Sequence, residues 1–95
     1  MSPEPISILH IKKDWNTRGF SCGIWKDPPG QEWKDNVHDA ESLILLLEGT
    51  LELEIKGEKS RPNPGEEVRI PMNVPHTVRN VGRIPCRWLY GIKEK

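Results

Sequence analysis

The 95-residue sequence predicts an all-β sandwich or barrel with little or no helix. One observation is a series of about eight short segments rich in β-branched and aromatic residues, most of them separated by Pro, Gly or Asn. A second is residues 51–56, where aliphatic and charged side chains alternate as in a strand with one face in water. The third is a pair of histidines, His38 and His76, in distant segments. A closed barrel would bring both imidazoles to one interior pocket.

The composition excludes several classes of protein. Lys and Arg together number 14, as do Asp and Glu, so the net charge of zero argues against a nucleic-acid partner or an anionic membrane surface. No apolar run reaches the length of about 18 residues that a membrane-spanning helix needs. The N-terminal residues lack the basic and apolar regions of a signal peptide, so we expect a cytoplasmic protein. Cys22 and Cys86 suggest no disulfide framework and no metal-binding spacing, and we expect two buried thiols.

The predicted strands follow one another between turns rich in Pro, Gly, Asn and Asp. In order, they cover residues 6–11, 20–26, 31–38, 42–47, 51–56, 66–70, 76–79 and 86–93. The turns and loops between them cover residues 12–19, 27–30, 39–41, 48–50, 57–65, 71–75 and 80–83.

The first three strands are predicted from short patterns. Residues 6–11 are rich in isoleucine, and residues 20–26 place apolar side chains on one face by the two-residue period. Two prolines and a glycine at 28–30 then force a turn. In the third strand Asn36 and His38 are two positions apart, so both side chains point to the same face.

The later strands carry the apolar centre and the second histidine. Residues 42–47 are apolar on both faces and end before Gly49, which favours a short buried strand over a helix. A proline-bounded turn at 71–75 delivers His76 to the start of its strand. The last strand carries Trp88 beside a tyrosine.

Two stretches of the chain resemble the motifs of the cupin family. Residues 71–80, P-M-N-V-P-H-T-V-R-N, are similar to the second cupin motif, P-x-G-x-x-H-x-x-x-N, with Asn73 in place of its glycine. Residues 38–49 resemble the first motif, including the L-L-E-G that precedes a hairpin. The resemblance covers roughly residues 33–80. It implies a jelly-roll type β-barrel that forms a single domain over residues 1–95.

The resemblance also implies a metal site that this chain has partly lost. A cupin site usually holds three histidines and a glutamate, a set suited to Fe, Mn, Ni or Zn. Here the first histidine position is Asn36 and the glutamate position is Ser42, so only His38 and His76 remain. The resemblance therefore implies weak binding of a divalent ion, to which Asn36 could contribute an amide oxygen.

Glu41 is a further candidate ligand. It lies one residue from the family's glutamate position, and strand parity predicts that its side chain points away from the barrel interior. A bulge near Asp39 would turn Glu41 inward and complete a set of two histidines and one carboxylate.

The character of the interior follows from the same topology. The side chains expected to face inward with His38 and His76 are Ile44, Leu46, Leu53, Ile70 and Val78. Trp88 or Tyr90 would form one wall. A cavity that is largely apolar with a few polar groups is typical of a small-molecule site, although aromatic residues in a barrel of this size more often fill the core.

Three classes of function remain open from the sequence. One is a barrel whose pocket binds a divalent metal weakly, a small molecule, or both. The second is a metal-dependent enzyme of dioxygenase, isomerase or epimerase type. The third is a non-catalytic structural or regulatory dimer. No nucleophile–base pair, phosphate loop or pair of catalytic carboxylates can be placed in the sequence.

We also expect a homodimer. A barrel of this size buries a limited core, yet the chain has four tryptophans, of which Trp15, Trp25 and Trp33 are candidate interface anchors. The isoleucine-rich residues 6–11 are predicted to add as a strand to the sheet edge of a second copy.

Overall fold

A computed structural model describes residues 6–94, which form eight strands and one helix. The elements are α1 (Ile8–Thr17), β1 (Gly23–Asp27), β2 (Glu32–Asn36), β3 (Ser42–Glu48), β4 (Leu51–Ile55), β5 (Glu58–Ser60), β6 (Glu67–Ile70), β7 (His76–Asn80) and β8 (Cys86–Ile92). The strands make two four-stranded antiparallel sheets, ordered β1-β8-β3-β6 and β2-β7-β4-β5. This pair of sheets confirms the predicted jelly-roll type barrel. The ten-residue α1 is too short to span a membrane, and no other helix occurs among residues 6–94.

The inner core lies between the two sheets. It consists of the buried side chains Ile44, Leu46, Leu51, Leu53, Ile70, Val78, Cys86 and Trp88. All five aliphatic residues predicted to face inward are in this set. Strand β3 is buried on both faces, as its sequence indicates, because alternate side chains enter the inner core and a second, outer core.

The outer core explains why the prediction of a strand at residues 6–11 is wrong. Ser7 caps a helix by accepting a hydrogen bond from the His10 amide at 3.3 Å. Ile8, Ile11 and Trp15 then fall on one helical face and pack against the outside of the first sheet. The three- and four-residue spacing of these apolar residues therefore prevails over the β propensity of isoleucine. Residues 12–17, which were predicted to be a turn, belong to the same helix.

Trp15, Arg18 and Glu67 hold α1 against the sheet, and we call these three residues the outer clamp. The Trp15 indole Nε1 donates to Glu67 Oε1 at 2.8 Å, and the Arg18 guanidinium donates to both Glu67 oxygens at 2.9 Å. The Trp15 ring also lies so close to β8 that a Cβ at Gly91 would come within 2.8 Å of the ring carbon Cε3. Trp15 is 1% exposed, which makes it part of the fold's core and unsuitable as an interface anchor.

A second correction concerns the predicted loop at residues 57–65. Residues 58–60 form β5, which pairs with β4 across a tight turn. Lys56 and Gly57 both have positive φ, 53° and 82°, as a two-residue hairpin turn between twisted strands requires.

Candidate functional site

A cleft of about 140 Å³ lies between the two sheets on the side where β1 and β2 form their edges. Its walls are formed by Trp25, Trp33, Asn36, His38, His76, Val78, Trp88 and Tyr90. Most of these residues are aromatic, and apart from the indole N–H groups their polar side-chain groups are two imidazoles, one amide and one phenol.

The aromatic wall is built by strand pairing. Trp25 of β1 lies opposite Trp88 of β8, and their rings stack with centroids 6.3 Å apart and planes 26° apart. Trp33 meets Trp25 from the other sheet at 5.9 Å and 63°. Tyr90 stands edge-on to Trp88 at 5.9 Å and 76°. The cleft is therefore lined by Trp88 and Tyr90, the two residues predicted as alternatives for one wall. It is also lined by the partly exposed pair Trp25 and Trp33.

A buried carboxylate holds two of the tryptophans. Asp27 is 3% exposed, and its Oδ2 accepts hydrogen bonds from Trp33 Nε1 at 2.9 Å and from Trp88 Nε1 at 3.0 Å. Asn80 Nδ2 donates to the Asp27 backbone carbonyl at 3.1 Å, which fixes the end of β1. Sequence reasoning missed Asp27 because the residue precedes two prolines and was assigned to a turn. The available signal was its position two residues after Trp25, which predicts the same strand face.

The structure brings His38 and His76 together, with ring centroids 5.4 Å apart. His76 is 4% exposed, and its Nδ1 lies 3.2 Å from the Val74 carbonyl oxygen. Donation from Nδ1 to that carbonyl leaves Nε2 as the lone-pair nitrogen. Burial lowers the pKa of His76, the Val74 hydrogen bond opposes this effect, and the neighbouring His38 adds to it. The neutral imidazole is therefore the favoured form in the folded protein.

Asn36 joins the cleft through an irregularity in β2. The register between β2 and β7 shifts between Trp33 and Asn36, and Asp35 within this bulge has a φ of 50°. The Asp35 amide donates to Thr77 Oγ1 at 3.1 Å, and Asn36 Nδ2 donates to the Trp33 carbonyl at 2.9 Å. The strand irregularity thus lies before the first motif and not near Asp39.

The second motif's departure from the cupin pattern also has a structural explanation. Asn73 has a φ of 58°, the left-handed conformation in which glycine is most at ease and asparagine is tolerated. Its amide donates to the His38 carbonyl at 2.7 Å. The turn before His76 therefore positions the backbone of His38 as well.

Two buried hydroxyl groups remain unsatisfied, one on the cleft residue Tyr90 and one on Ser42. Ser42, 1% exposed, and Tyr90 have buried oxygens without a hydrogen bond of ordinary geometry. The Ser42 side chain is close enough to Tyr90 to offset part of the rise that burial produces in the pKa of Tyr90. Ser42 starts β3 on the same face as Ile44 and so has the inward orientation predicted for it.

Glu41 is not among the residues that line the cleft. Its carboxylate pairs with Arg69 Nε at 3.1 Å, on the side of β3 that strand parity predicted. Within residues 6–94, no group of three or more His, Cys, Asp or Glu side chains is arranged to hold a metal. The structure thus assembles Asn36, His38 and His76 but not Glu41, and a metal at these residues stays a prediction.

Comparison with known proteins gives two curated relatives. The chain is 30% identical over 79 residues to a 5-nitrosalicylic acid 1,2-dioxygenase from a Bradyrhizobium species, covering 83% of this chain and 38% of the relative. It is 29% identical over 75 residues to the polyketide synthase CurC of Streptomyces cyaneus, covering 78% and 48% respectively. The chain therefore spans less than half the length of either relative.

A solved structure and a family model extend the comparison. The cupin domain of an XRE family transcriptional regulator from Enterobacter cloacae superimposes with a TM-score of 0.73 at 26% identity, covering 85% of this chain and 88% of that one. The model of the cupin domain family matches residues 23–91, the stretch from the start of β1 to near the end of β8. The motifs, the two sheets and this match agree, and the chain belongs to the cupin domain family.

Proposed function

We propose that this protein binds a small molecule in the aromatic cleft and that His38 and His76 are its polar contacts. The observation that supports this most directly is the cleft's size and lining. An apolar cavity of about 150 Å³ is large enough for one benzene molecule, and this cleft has about 140 Å³ behind partly exposed tryptophans. Large rings left open to solvent at the rim of a cavity are typical of a binding surface.

We further propose that the histidine pair binds a divalent ion weakly, with the Asn36 amide as a third donor. Two neutral imidazoles suit Fe, Mn, Ni or Zn, but an amide contributes no charge, and such ions bind more tightly when a carboxylate joins the set. Ser42 occupies the position at which the cupin motif has its glutamate. Glu41 could supply the carboxylate only if its ion pair with Arg69 opened.

The first prediction tests this arrangement by titration. Ser42→Glu should tighten Mn, Ni or Zn binding at least tenfold, about 1.4 kcal/mol, because it adds an anionic ligand to the histidine pair. His38→Ala and His76→Ala should abolish the weak binding of the natural chain. Glu41→Ala is the matched control and should change little, since its carboxylate lies on Arg69. Calorimetric titration of the four variants with one metal salt measures these effects.

Two results would contradict the metal proposal. If Glu41→Ala lost the metal while Ser42→Glu gained nothing, the ligand register would be wrong by one residue. If neither the natural chain nor any variant bound the metal above background, the histidine pair would be a polar part of the small-molecule site alone.

A metal-dependent enzyme is the second candidate function, and the Bradyrhizobium dioxygenase at 30% identity favours it. The match covers only 38% of that protein, so its activity is a hypothesis for this chain. Metal analysis of untagged protein purified without added metal separates the candidates. One tightly held ion per chain would favour the enzyme, and a metal-free protein would favour the binder.

We also propose that the protein is a homodimer. The predicted dimer contact through residues 6–11 does not apply, because these residues begin α1 and pack on their own chain. The exposed edge of β1 is the alternative contact, since within residues 6–94 β1 pairs with β8 alone and carries Ile24, 54% exposed. Light scattering at tens of micromolar tests the state, roughly the range in which an interface of standard size holds together.

A further inference from the structure

We propose that the cleft binds an organic cation with a compact methylated head, such as a quaternary ammonium or a sulfonium. This inference rests on the proposed small-molecule function and specifies the chemical class of the ligand. It is supported by the charge behind the aromatic wall, the chemistry of the rings, and the angles at which they meet.

The charge behind the wall is negative and belongs to Asp27. Asp27 is 3% exposed and accepts hydrogen bonds from the indoles of Trp33 and Trp88. Across residues 6–94, no Lys, Arg or His nitrogen pairs with its carboxylate. None of the described residues that line the cleft is a lysine or an arginine. A cation in the cleft would therefore gain a favourable field, and an anion would be repelled.

The rings themselves favour a cation. Tryptophan has the strongest attraction for a cation over its face among the aromatic side chains, and three tryptophans and a tyrosine line this cleft. Donation of the indole N–H to a carboxylate moves electron density into the ring, so the hydrogen bonds of Trp33 and Trp88 to Asp27 strengthen this attraction. Cages of aromatic rings are the usual means by which proteins recognise quaternary ammonium groups.

The angles between the rings favour a compact head over a flat one. A planar aromatic ligand binds best between two parallel faces. Here Trp33 lies at 63° to Trp25, and Tyr90 lies at 76° to Trp88, so these ring planes meet steeply. Trp25 and Trp88 are nearly parallel at 26°, but with centroids 6.3 Å apart they stack on each other and leave no space for a ring between them. Surfaces that meet at such angles surround a rounded group, and a trimethylammonium head with a short chain fits within about 140 Å³.

The experiment compares three probes of nearly equal shape and different charge. They are choline, its uncharged analogue 3,3-dimethylbutan-1-ol, and the anionic 3,3-dimethylbutanoate. Calorimetric titration of the full chain, checked by tryptophan fluorescence, should show choline binding at least tenfold more tightly than the alcohol, and the carboxylate more weakly than either. Equal binding of choline and the alcohol, or a preference for the carboxylate, would overturn the cation inference and leave a small-molecule site. Binding of none of the three would overturn both.

A pair of matched variants tests the role of Asp27. Asp27→Asn keeps an oxygen that can accept from the two indoles but removes the charge, and it should reduce the preference for choline over the alcohol to less than about threefold. Glu67→Gln is the control, because Glu67 also accepts a hydrogen bond from an indole but lies outside the cleft. The preference for choline should be unchanged in this variant. An unchanged preference in Asp27→Asn would contradict the proposal. If that variant does not fold, Trp25→Leu replaces it as the test, because it removes a 45% exposed ring that makes no bond to Asp27. Trp25→Leu should lower the affinity for choline at least fivefold and the affinity for the alcohol by less. Equal losses of affinity for the two probes would contradict the cation proposal.

Discussion

Carboxylates hold tryptophan side chains at two places in this protein, and the two places differ in charge balance. In the outer clamp, Glu67 accepts from Trp15 and is also bound by the Arg18 guanidinium, whose hydrogen bonds lower the pKa of Glu67. In the cleft, Asp27 accepts from Trp33 and Trp88 and has no cationic partner among the described residues.

This difference supports the proposal that the cleft, unlike the clamp, is a binding site. The clamp is complete, because its ring is 1% exposed and its charges are paired within the chain. The cleft leaves its outer rings 45% and 39% exposed, and its buried carboxylate makes no ion pair with the described residues. Rings exposed to water and a buried carboxylate that has no opposite charge beside it do not stabilise a fold. We therefore infer that a ligand fills the cleft.

The largest expected effect is the difference in stability between a variant at the outer clamp and a variant at the cleft. Trp15→Ala should lower the free energy of unfolding by about 3–5 kcal/mol, as for other large buried rings, because it empties the space beneath α1. Trp25→Ala should cost only about 1 kcal/mol, since a half-exposed side chain leaves little cavity. Urea unfolding followed by far-UV circular dichroism measures both. Equal losses would mean that the cleft tryptophans are core residues.

The next prediction uses the charge pair of the clamp. Arg18 holds the pKa of Glu67 below its usual value of 4.5, so the pair stabilises the fold above that pH and the contribution disappears as the pH falls through the lowered pKa. Glu67→Gln should therefore be less stable than the natural chain at pH 7, by about 1 kcal/mol or less for a partly exposed pair. The difference in stability between the two proteins should shrink as the pH falls below that usual value. A gap that stays constant with pH would show that only the hydrogen bond to Trp15 matters.

The smallest effect is expected for the unsatisfied hydroxyl groups of the cleft. Tyr90→Phe and Ser42→Ala each remove a buried oxygen that lacks an ordinary hydrogen bond. Stability should be unchanged or should rise by up to about 1 kcal/mol, because no bond is lost and no polar group remains buried without a partner. A loss of about 2 kcal/mol or more in thermal unfolding would show that a bound water or a relaxed contact satisfies these oxygens.

The fold was largely predictable from local patterns. The alternation at residues 51–56 becomes β4, and the doubly apolar run at 42–47 becomes β3 with a core on each side. The helix α1 was missed because an isoleucine-rich segment satisfies both a strand and a helix pattern over six residues. Only the cap at Ser7 and the distant Trp15 distinguish them.

The candidate site was predictable only where a motif defines it. His38, His76 and Asn36 were placed in one pocket from their resemblance to the cupin motifs, and the structure brings them together. Asp27 could not be placed in the same way, because its contact with Trp88 joins residues 61 positions apart and depends on how β1 pairs with β8. The two-residue spacing from Trp25 predicts the strand face of Asp27, but no local pattern predicts its contact with Trp88.

Strand β1 is an edge strand held by one neighbour, and it carries both Trp25 and Asp27. Edge strands open more readily than central ones, and the free energy of such local opening is lower than that of global unfolding. Fraying of β1 from β8 would dismantle the aromatic wall while the inner and outer cores stayed packed. We therefore expect β1 of the monomer to open locally, and a ligand in the cleft to slow hydrogen exchange at its backbone amides.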